Sequence, residues 1–260
     1  MSGSPDLAAL LGECSKDEIL RGRLRLWQPL VGYRFSVDAL VLSHFASRGR
    51  ADSRGRAIDL GAGCGVVGLA LALACPGLSV TLVELGPRLA ALCRQNAIEN
   101  GLSHRVEVLE ADLRRAQDLP IDGGVELLVS NPPFRPASSG RQSPDPERAR
   151  ALVELTVTLP ELVASASRLL APGGALAVIY PPERLGELLE ACVRSGLGPC
   201  RLRALHPLPG APARRLLLEA QKGGRSPLVM EPPLFLHEAQ GRYSPEAAEL
   251  LGDAPSGLSI

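Results

Sequence analysis

The hydrophobic pattern of the chain changes period repeatedly between residues 55 and 222. Short runs rich in valine, leucine and isoleucine are typical of buried parallel strands, and they occur at 57–60, 79–85, 105–113, 125–130 and 175–180. The stretches that follow them have apolar residues three and four positions apart, which is typical of helices; these stretches are 66–74, 86–102, 148–174 (with a break near Pro160) and 185–198. The alternation predicts an α/β fold with a doubly wound, mostly parallel sheet, closed by an antiparallel pair at 200–208 and 214–224.

The residues before this alternating region have a different pattern. Residues 1–20 are interpreted as a helical or frayed lead-in, and the residues after them alternate like a short strand or hairpin around Gly32. Ser36 is a favourable N-cap for a helix that carries Val37, Leu40 and Phe45 on one face. A short helix and a flexible end are expected after Tyr243.

Composition excludes several classes of protein. The 260 residues carry formal net charge +0, which argues against a protein that coats nucleic acid by bulk electrostatics. The six cysteines form no CxxC pair and the four histidines have no ligand-like spacing, so reduced thiols and no metal are expected. No stretch of about 18 apolar residues predicts a membrane span, and the first residues do not resemble a signal peptide, so a cytoplasmic location is expected.

A glycine loop follows the first strand of the alternating region. Gly61, Gly63 and Gly65 let a ligand approach the backbone, and Glu84 ends the next strand, where it can accept hydrogen bonds from two ribose hydroxyls. The outline alone also fits a pyridine-nucleotide dehydrogenase. Asp59 precedes the loop, however, and its charge would repel a pyrophosphate but favour a ligand with an ammonium and a sulfonium group. The loop therefore favours S-adenosyl-L-methionine over NAD.

Asp112 ends the third predicted strand. Its carboxylate can accept a hydrogen bond from an adenine amine, and the backbone N–H of Leu113 can reach a ring nitrogen. Aspartate is equally suited to cap a helix, so position alone leaves the two interpretations open.

The fourth predicted strand ends in Asn131-Pro132-Pro133-Phe134. The lone pair of a planar amino group is delocalised, and acceptors on its N–H bonds pull the nitrogen towards a tetrahedral geometry. The side-chain carbonyl of Asn131 and the backbone carbonyl of Pro132 supply two such acceptors, the prolines fix their direction, and Phe134 offers a ring for stacking. The tetrapeptide predicts methylation of an exocyclic or carboxamide nitrogen without a strong base.

With both motifs, the chain resembles the amino-methylating class I methyltransferases that carry an NPPY/F tetrapeptide. The stretch QPLVGYRFSVDALVLSHF at 28–45 and the run SPDPERARA at 143–151 further resemble the bacterial tRNA1(Val) adenine-N6-methyltransferases, which act beside the anticodon at position 37. This resemblance implies a Rossmann-like fold with a seven-stranded sheet and an antiparallel last strand. It also implies a cofactor contact set, namely Tyr33, Ser36, Asp38, Asp59, Gly61, Gly63, Gly65, Glu84, Leu85, Asp112, Leu113 and Asn131. Phe134 replaces the commoner tyrosine of the family.

The implied organisation has a lead-in at 1–50 that contributes to the pocket, a methyltransferase domain at 51–245 and a flexible tail at 246–260. A proline-, serine- and arginine-rich loop follows the tetrapeptide, and its arginines are predicted to contact RNA phosphates; they are Arg135, Arg141, Arg148 and Arg150. A solvated loop without this role is the alternative. The expected partner is tRNA, with the protein as a monomer or homodimer.

Three other functions stay open at this stage. The same tetrapeptide serves ribosomal RNA guanine-N2 enzymes and protein glutamine-N5 enzymes, although the latter usually carry a separate helical domain at the N-terminus. A nucleotide-dependent oxidoreductase would share the glycine loop but not the tetrapeptide.

Overall fold

The computed structural model describes residues 12–32, 34–119, 121, 124–132, 157–239 and 241–252. The strands are β1 (Cys14–Ile19), β2 (Leu24–Pro29), β3 (Gly55–Leu60), β4 (Leu78–Glu84), β5 (Val106–Glu110), β6 (Val125–Ser130), β7 (Leu170–Tyr180), β8 (Leu197–His206), β9 (Arg215–Lys222), β10 (Val229–Met230), β11 (Leu234–Phe235), β12 (His237–Ala239) and β13 (Arg242–Tyr243). The helices are α1 (Val37–Ser47), α2 (Val66–Ala74), α3 (Pro87–Glu99), α4 (Leu159–Leu169), α5 (Leu185–Arg194) and α6 (Pro245–Leu251), with 3₁₀ turns at Leu113–Asp118 and Pro182–Arg184.

The main sheet has the order β10-β8-β9-β7-β6-β3-β4-β5, with β11 also paired to β8. Strand β9 runs antiparallel to both of its neighbours, and all other pairs in this sheet are parallel. The seven strands β3–β9 therefore form the predicted sheet with an antiparallel last strand, and the short β10 and β11 lengthen its outer edge. The predicted fold class is confirmed.

Helices cover both faces of this sheet, as the alternation of buried side chains requires. Odd-numbered positions of β6 and β7, such as Leu127 and Ala177, join a core with α1, α2 and α3. Even-numbered positions, such as Leu128 and Val178, join a second core with α4 and α5. In open sheets of this kind, ligands bind outside the carboxyl ends of the parallel strands, so this edge is where a ligand is expected.

Three local predictions were wrong. Residues 14–19 form strand β1 rather than a helix, and the hairpin turns at Leu20-Arg21-Gly22 rather than around Gly32, because positive φ angles at those three residues reverse the chain there. The helix predicted at 148–174 ends earlier, because Leu169 is its last residue and β7 begins at Leu170. Residues 148–156 lie outside the described residues, so the predicted break near Pro160 stays a prediction; Pro160 lies in the first turn of α4, where its missing N–H costs nothing, and Thr158 and Glu161 form a capping box. The short helix that was predicted after Tyr243 is confirmed as α6, and residues 253–260 lie outside the described residues.

Several other predicted elements are confirmed. Helix α1 begins after Ser36, helix α3 ends at Asn100-Gly101 with Gly101 at φ +66°, and β8 and β9 form the closing antiparallel pair. In the part of the chain that the structure describes, no helix is long and apolar enough to cross a bilayer.

Candidate active site

The glycine loop connects β3 to α2 at the carboxyl edge of the sheet. Gly61, Gly63 and Gly65 have φ angles of +76°, +60° and +88°, which glycine adopts without the steric cost that other residues meet. The N–H groups of Gly61 and Ala62 both donate to the carbonyl of Val83, at 2.9 and 3.0 Å, and so hold the loop against the end of β4. A Cβ on Gly61 would meet no atom of the described residues within 4 Å, so there is room for a ligand on this face of the loop.

Glu84 connects the loop to the next helix through its carboxylate. One oxygen accepts the N–H of Gly63 and the other the N–H of Gly86, the N-cap of α3, each at 2.8 Å. Burial raises the pKa of Glu84, while these backbone donors and the N–H of Leu85 lower it. A carboxylate has about four acceptor positions, so these three donors leave acceptor capacity for the ribose.

Asp59 lies below the loop and is only 1% exposed. Its carboxylate accepts the N–H of Gly68, at 2.9 Å, on the first turns of α2. Desolvation raises the pKa of Asp59 to about 7, and repulsion from Glu84 adds to this, although the hydrogen bond from Gly68 opposes it. Only glycine at position 68 lets α2 pack this closely against the sheet, because a Cβ there would lie 2.2 Å from the side chain of Leu82.

Asp112 follows β5 at the same edge and fulfils the capping role that the sequence left open. Its carboxylate accepts the backbone N–H of Arg114 at 2.9 Å and pairs with the guanidinium of the same residue at 2.6 Å. The side-chain hydrogen bond from Arg114 lowers the pKa of Asp112. Leu113, half-buried, begins the 3₁₀ turn that this cap stabilises.

Asn131 and Pro132 follow β6, which pairs with β3, and both are partly exposed. The hydroxyl of Ser130 donates to the carbonyl of Leu60 at 2.7 Å. Because Leu60 precedes Gly61 and Ser130 precedes Asn131, this bond fixes Asn131, the first residue of the tetrapeptide, beside the glycine loop. Two motifs 70 residues apart in the chain therefore meet at one point of the sheet edge.

The lead-in reaches the same region through α1. Ser36 is the N-cap of α1, and Asp38 in its first turn is 2% exposed and paired with Arg215 at 2.8 Å. Burial raises the pKa of Asp38, and Arg215 opposes this. The second carboxylate oxygen of Asp38 is buried and has no hydrogen-bonding partner among the described residues.

Several predicted site residues lie outside the described residues, so their contacts are not part of this geometry; they are Tyr33, Pro133, Phe134, Arg135, Arg141, Arg148 and Arg150. Within the described residues, no group of three histidine, cysteine or acidic side chains could hold a metal ion.

Sequence reasoning missed the polar residues that support the site. Ser130, Arg114 and Arg215 act through the bonds described above, and Asn96 and Cys93 of α3 contact the glycine loop from below. The amide of Asn96 donates to the carbonyl of Cys64 at 2.9 Å, and the thiol of Cys93 lies 3.1 Å from the carbonyl of Gly63. The one available signal was a pair of asparagines four residues apart, Asn96 and Asn100, on a helix that is otherwise apolar on its inner face.

The strand order, the glycine loop after β3, the acidic end of β4 and the Asn-Pro turn after β6 together define a class I methyltransferase. The methyltransferase small domain family matches residues 37–189, more than half of the chain, and the chain belongs to this family. This membership decides against the oxidoreductase alternative.

Named relatives and solved structures agree with this class. A tRNA1(Val) (adenine(37)-N6)-methyltransferase of Porphyromonas gingivalis is 34% identical over 224 residues, covering 84% of this chain and 86% of the relative. One of the same name from Aeromonas hydrophila is 32% identical over 218 residues, with 84% and 88% coverage. The crystal structure of a predicted O-methyltransferase from Agrobacterium tumefaciens superposes with a TM-score of 0.66 and 29% identity, covering 82% of this chain and 94% of that chain.

Proposed function

We propose that this protein transfers a methyl group from S-adenosyl-L-methionine to the exocyclic N6 of an adenine in tRNA, with adenine 37 of tRNA1(Val) as the target, in the cytoplasm. The relatives that carry this name span most of both chains, which supports the same substrate class here.

The observation that carries the proposal is the bond from Ser130 to Leu60, at 2.7 Å. Paired strands lie ~4.8 Å apart, so Asn131 at the end of β6 and Gly61 at the end of β3 are close neighbours. A donor held by the glycine loop and an amine held by Asn131 would thus be adjacent, as direct transfer requires.

The donor fits the residues present. The open face of Gly61 leaves room for its methionine part, and Glu84 retains acceptor positions for the ribose hydroxyls. We assign the adenine ring of the donor to the surface near Asp112 and Leu113. The guanidinium of Arg114 already pairs with the Asp112 carboxylate, so the backbone N–H of Leu113 becomes the principal polar contact for this ring. When bound, the donor supplies an electrophilic methyl group on a sulfonium.

The protein's contribution to the reaction is positioning. The side-chain carbonyl of Asn131 and the backbone carbonyl of Pro132 accept the two amine N–H groups and align the nitrogen lone pair with the methyl–sulfur bond. With the donor bound, transfer would form a nitrogen–carbon bond as the sulfur–carbon bond breaks, and the surplus amine proton would pass to solvent. Phe134 would stack on the adenine, and the arginines at 135, 141, 148 and 150 would contact phosphates.

The experiment that tests this proposal is transfer of labelled methyl groups to total bacterial tRNA, followed by mass spectrometry of the nucleosides. We expect N6-methyladenosine with the wild-type protein and a more than ~100-fold lower rate with Asn131→Ala, because the variant lacks a positioned acceptor. The affinity for S-adenosylhomocysteine, measured by calorimetry, should be unchanged in the variant.

Other products would contradict parts of the proposal in distinguishable ways. N2-methylguanosine would move the target to guanine. Methyl transfer to protein but not to RNA would reject RNA as the substrate, and an Asn131→Ala variant with wild-type rate would reject the role of the tetrapeptide.

A further inference from the structure

The outer edge of strand β2 is paired with two side chains instead of another strand. The N–H and carbonyl of Trp27 bond to the amide of Asn96, at 2.7 and 2.9 Å. The N–H and carbonyl of Arg25, two residues earlier, bond to the amide of Asn100, at 2.9 and 2.7 Å. Since residues i and i+4 of a helix lie on one face, the two asparagines match alternate residues of the strand and attach the β1–β2 hairpin to α3.

Only one of these two asparagines also reaches the glycine loop. Asn96 is fully buried, and its amide donates a second hydrogen bond to the carbonyl of Cys64, at 2.9 Å. The amide of Asn100 instead donates its second bond to the carbonyl of Asn96 within the helix, at 2.7 Å. One amide group therefore joins the hairpin to the backbone of the loop between Gly63 and Gly65.

The hairpin in turn fixes the residues that lead into the site. The side-chain carbonyl of Gln28, a residue of β2 that is 2% exposed, accepts the N–H of Phe35 at 3.3 Å. Arg34 donates to the carbonyl of Pro29 at 3.1 Å and pairs with Asp17 of β1 at 3.3 Å. The hairpin thus holds Arg34 and Phe35, which lead into α1.

We propose that Asn96 is a positioning residue that couples methyl-donor binding at the glycine loop to docking of the N-terminal hairpin. This inference rests on the proposed function, since it takes the glycine loop as the donor site. Donor binding selects one loop conformation. In that conformation the carbonyl of Cys64 accepts a hydrogen bond from the side-chain amide of Asn96, and this bond orients the same amide towards Trp27. By linkage, a docked hairpin must raise donor affinity by the same factor as bound donor favours docking.

The test compares Asn96→Ala with the matched control Asn100→Ala. Both variants lose hydrogen bonds to the hairpin, but only Asn96→Ala loses the bond to the loop. We expect Asn96→Ala to weaken S-adenosylhomocysteine binding by about tenfold or more, within the usual range of coupling between sites, and Asn100→Ala to weaken it by less than about twofold. In the transfer assay, Asn96→Ala should raise KM for the donor while kcat at saturating donor stays within about threefold of wild type.

The single tryptophan of the chain supplies a direct readout of the coupling. Trp27 belongs to the hairpin and its indole N–H is buried, so its emission reports docking. We expect S-adenosylhomocysteine to shift Trp27 emission in the wild-type protein and in Asn100→Ala, and to leave it unchanged in Asn96→Ala at concentrations that saturate binding.

Equal loss of donor affinity in both variants would overturn the inference, because Asn96 would then act only through general stability. Should Asn96→Ala not fold, hydrogen exchange of the wild-type protein decides: slower exchange of the Trp27 amide with S-adenosylhomocysteine supports the coupling, and an unchanged rate overturns it. A wild-type protein that does not bind S-adenosylhomocysteine would instead refute the proposed function itself.

Discussion

The buried carboxyl group of Asp59 should make the stability of this protein depend on pH. Asp59 is 1% exposed, and its one described hydrogen bond comes from the N–H of Gly68. Replacement by asparagine keeps an acceptor for that N–H and removes the ionisable group. The comparison of wild type with Asp59→Asn therefore isolates the cost of ionising a carboxyl group beneath the glycine loop.

The direction and size of this cost follow from the pKa. Desolvation raises the pKa of Asp59 from 3.8 to about 7 in the folded chain. Between these values the folded chain holds a proton that the unfolded chain has released, so stability falls as pH rises through the window and stays lower above it. At ~1.4 kcal/mol for each pKa unit, the full cost is on the order of 4 kcal/mol.

The assay is denaturant unfolding of both proteins between pH 4 and pH 8. We expect the free energy of unfolding of the wild type, minus that of Asp59→Asn, to decrease by up to about 4 kcal/mol across this range. A difference that stays constant within about 1 kcal/mol would refute the assignment of a buried, reluctantly ionised Asp59.

Asp112→Asn is the matched control, because Asp112 is another aspartate near the carboxyl ends of the strands. Its pKa is lowered by the side-chain hydrogen bond from Arg114, so it stabilises the folded chain above pH 3.8 and this contribution is lost as pH falls. The wild-type minus variant difference should therefore increase with pH for Asp112 and decrease for Asp59. Slopes of the same sign for both would show that general charge repulsion, and not the local environment, controls the pH dependence.

Two further predictions concern ligand binding. Gly61→Ala and Gly49→Ala place a methyl group at φ +76° and +74° with no neighbour within 4 Å, so both should cost about 1–2 kcal/mol in stability, but only Gly61→Ala should abolish S-adenosylhomocysteine binding by calorimetry. Equal binding by the two variants would contradict the donor site. Replacing Arg148 and Arg150 by alanine should raise KM for tRNA and reduce the slope of log affinity against log salt by about 1.5, with donor affinity unchanged. The control Arg225→Ala, after the C-terminal end of β9, should change neither KM for tRNA nor this slope. An unchanged slope in the double variant would reject phosphate contacts.

The sheet and its ligand-binding edge could be predicted from the sequence because their signals are local. Each buried strand is a short apolar run, and the glycine loop needs positive φ angles that glycine provides. The hairpin was misplaced because Leu20 and Arg21 adopt positive φ without being glycine, and no propensity rule indicates this. The start of α4 near Pro160 could have been predicted from the sequence, since Thr158 and Glu161 have the spacing of a capping box.

The supporting contacts of the site could not be predicted because they depend on pairings between distant segments. Asp112 could contact a ligand or cap a turn, and only the position of Arg114 shows which bond it makes in this structure. The sequence indicates only that Ser130 is the last residue of an apolar strand. Its hydrogen bond to the carbonyl of Leu60 exists because β6 pairs with β3. The role of Asn96 requires the hairpin, α3 and the loop to meet.

These contacts hold the glycine loop in the conformation that the structure describes. Its backbone is held from three sides: by the carbonyl of Val83 on β4, by the carboxylate of Glu84, and by Asn96 with Cys93 on α3. Asn96 bonds to the hairpin as well as to the loop, so the proposed docking of the hairpin would reduce the loop entropy that remains to be lost when a ligand binds. Among the described residues, no atom would lie within 4 Å of a Cβ on Gly61. The proposed donor would occupy this open side of the loop, next to Asn131.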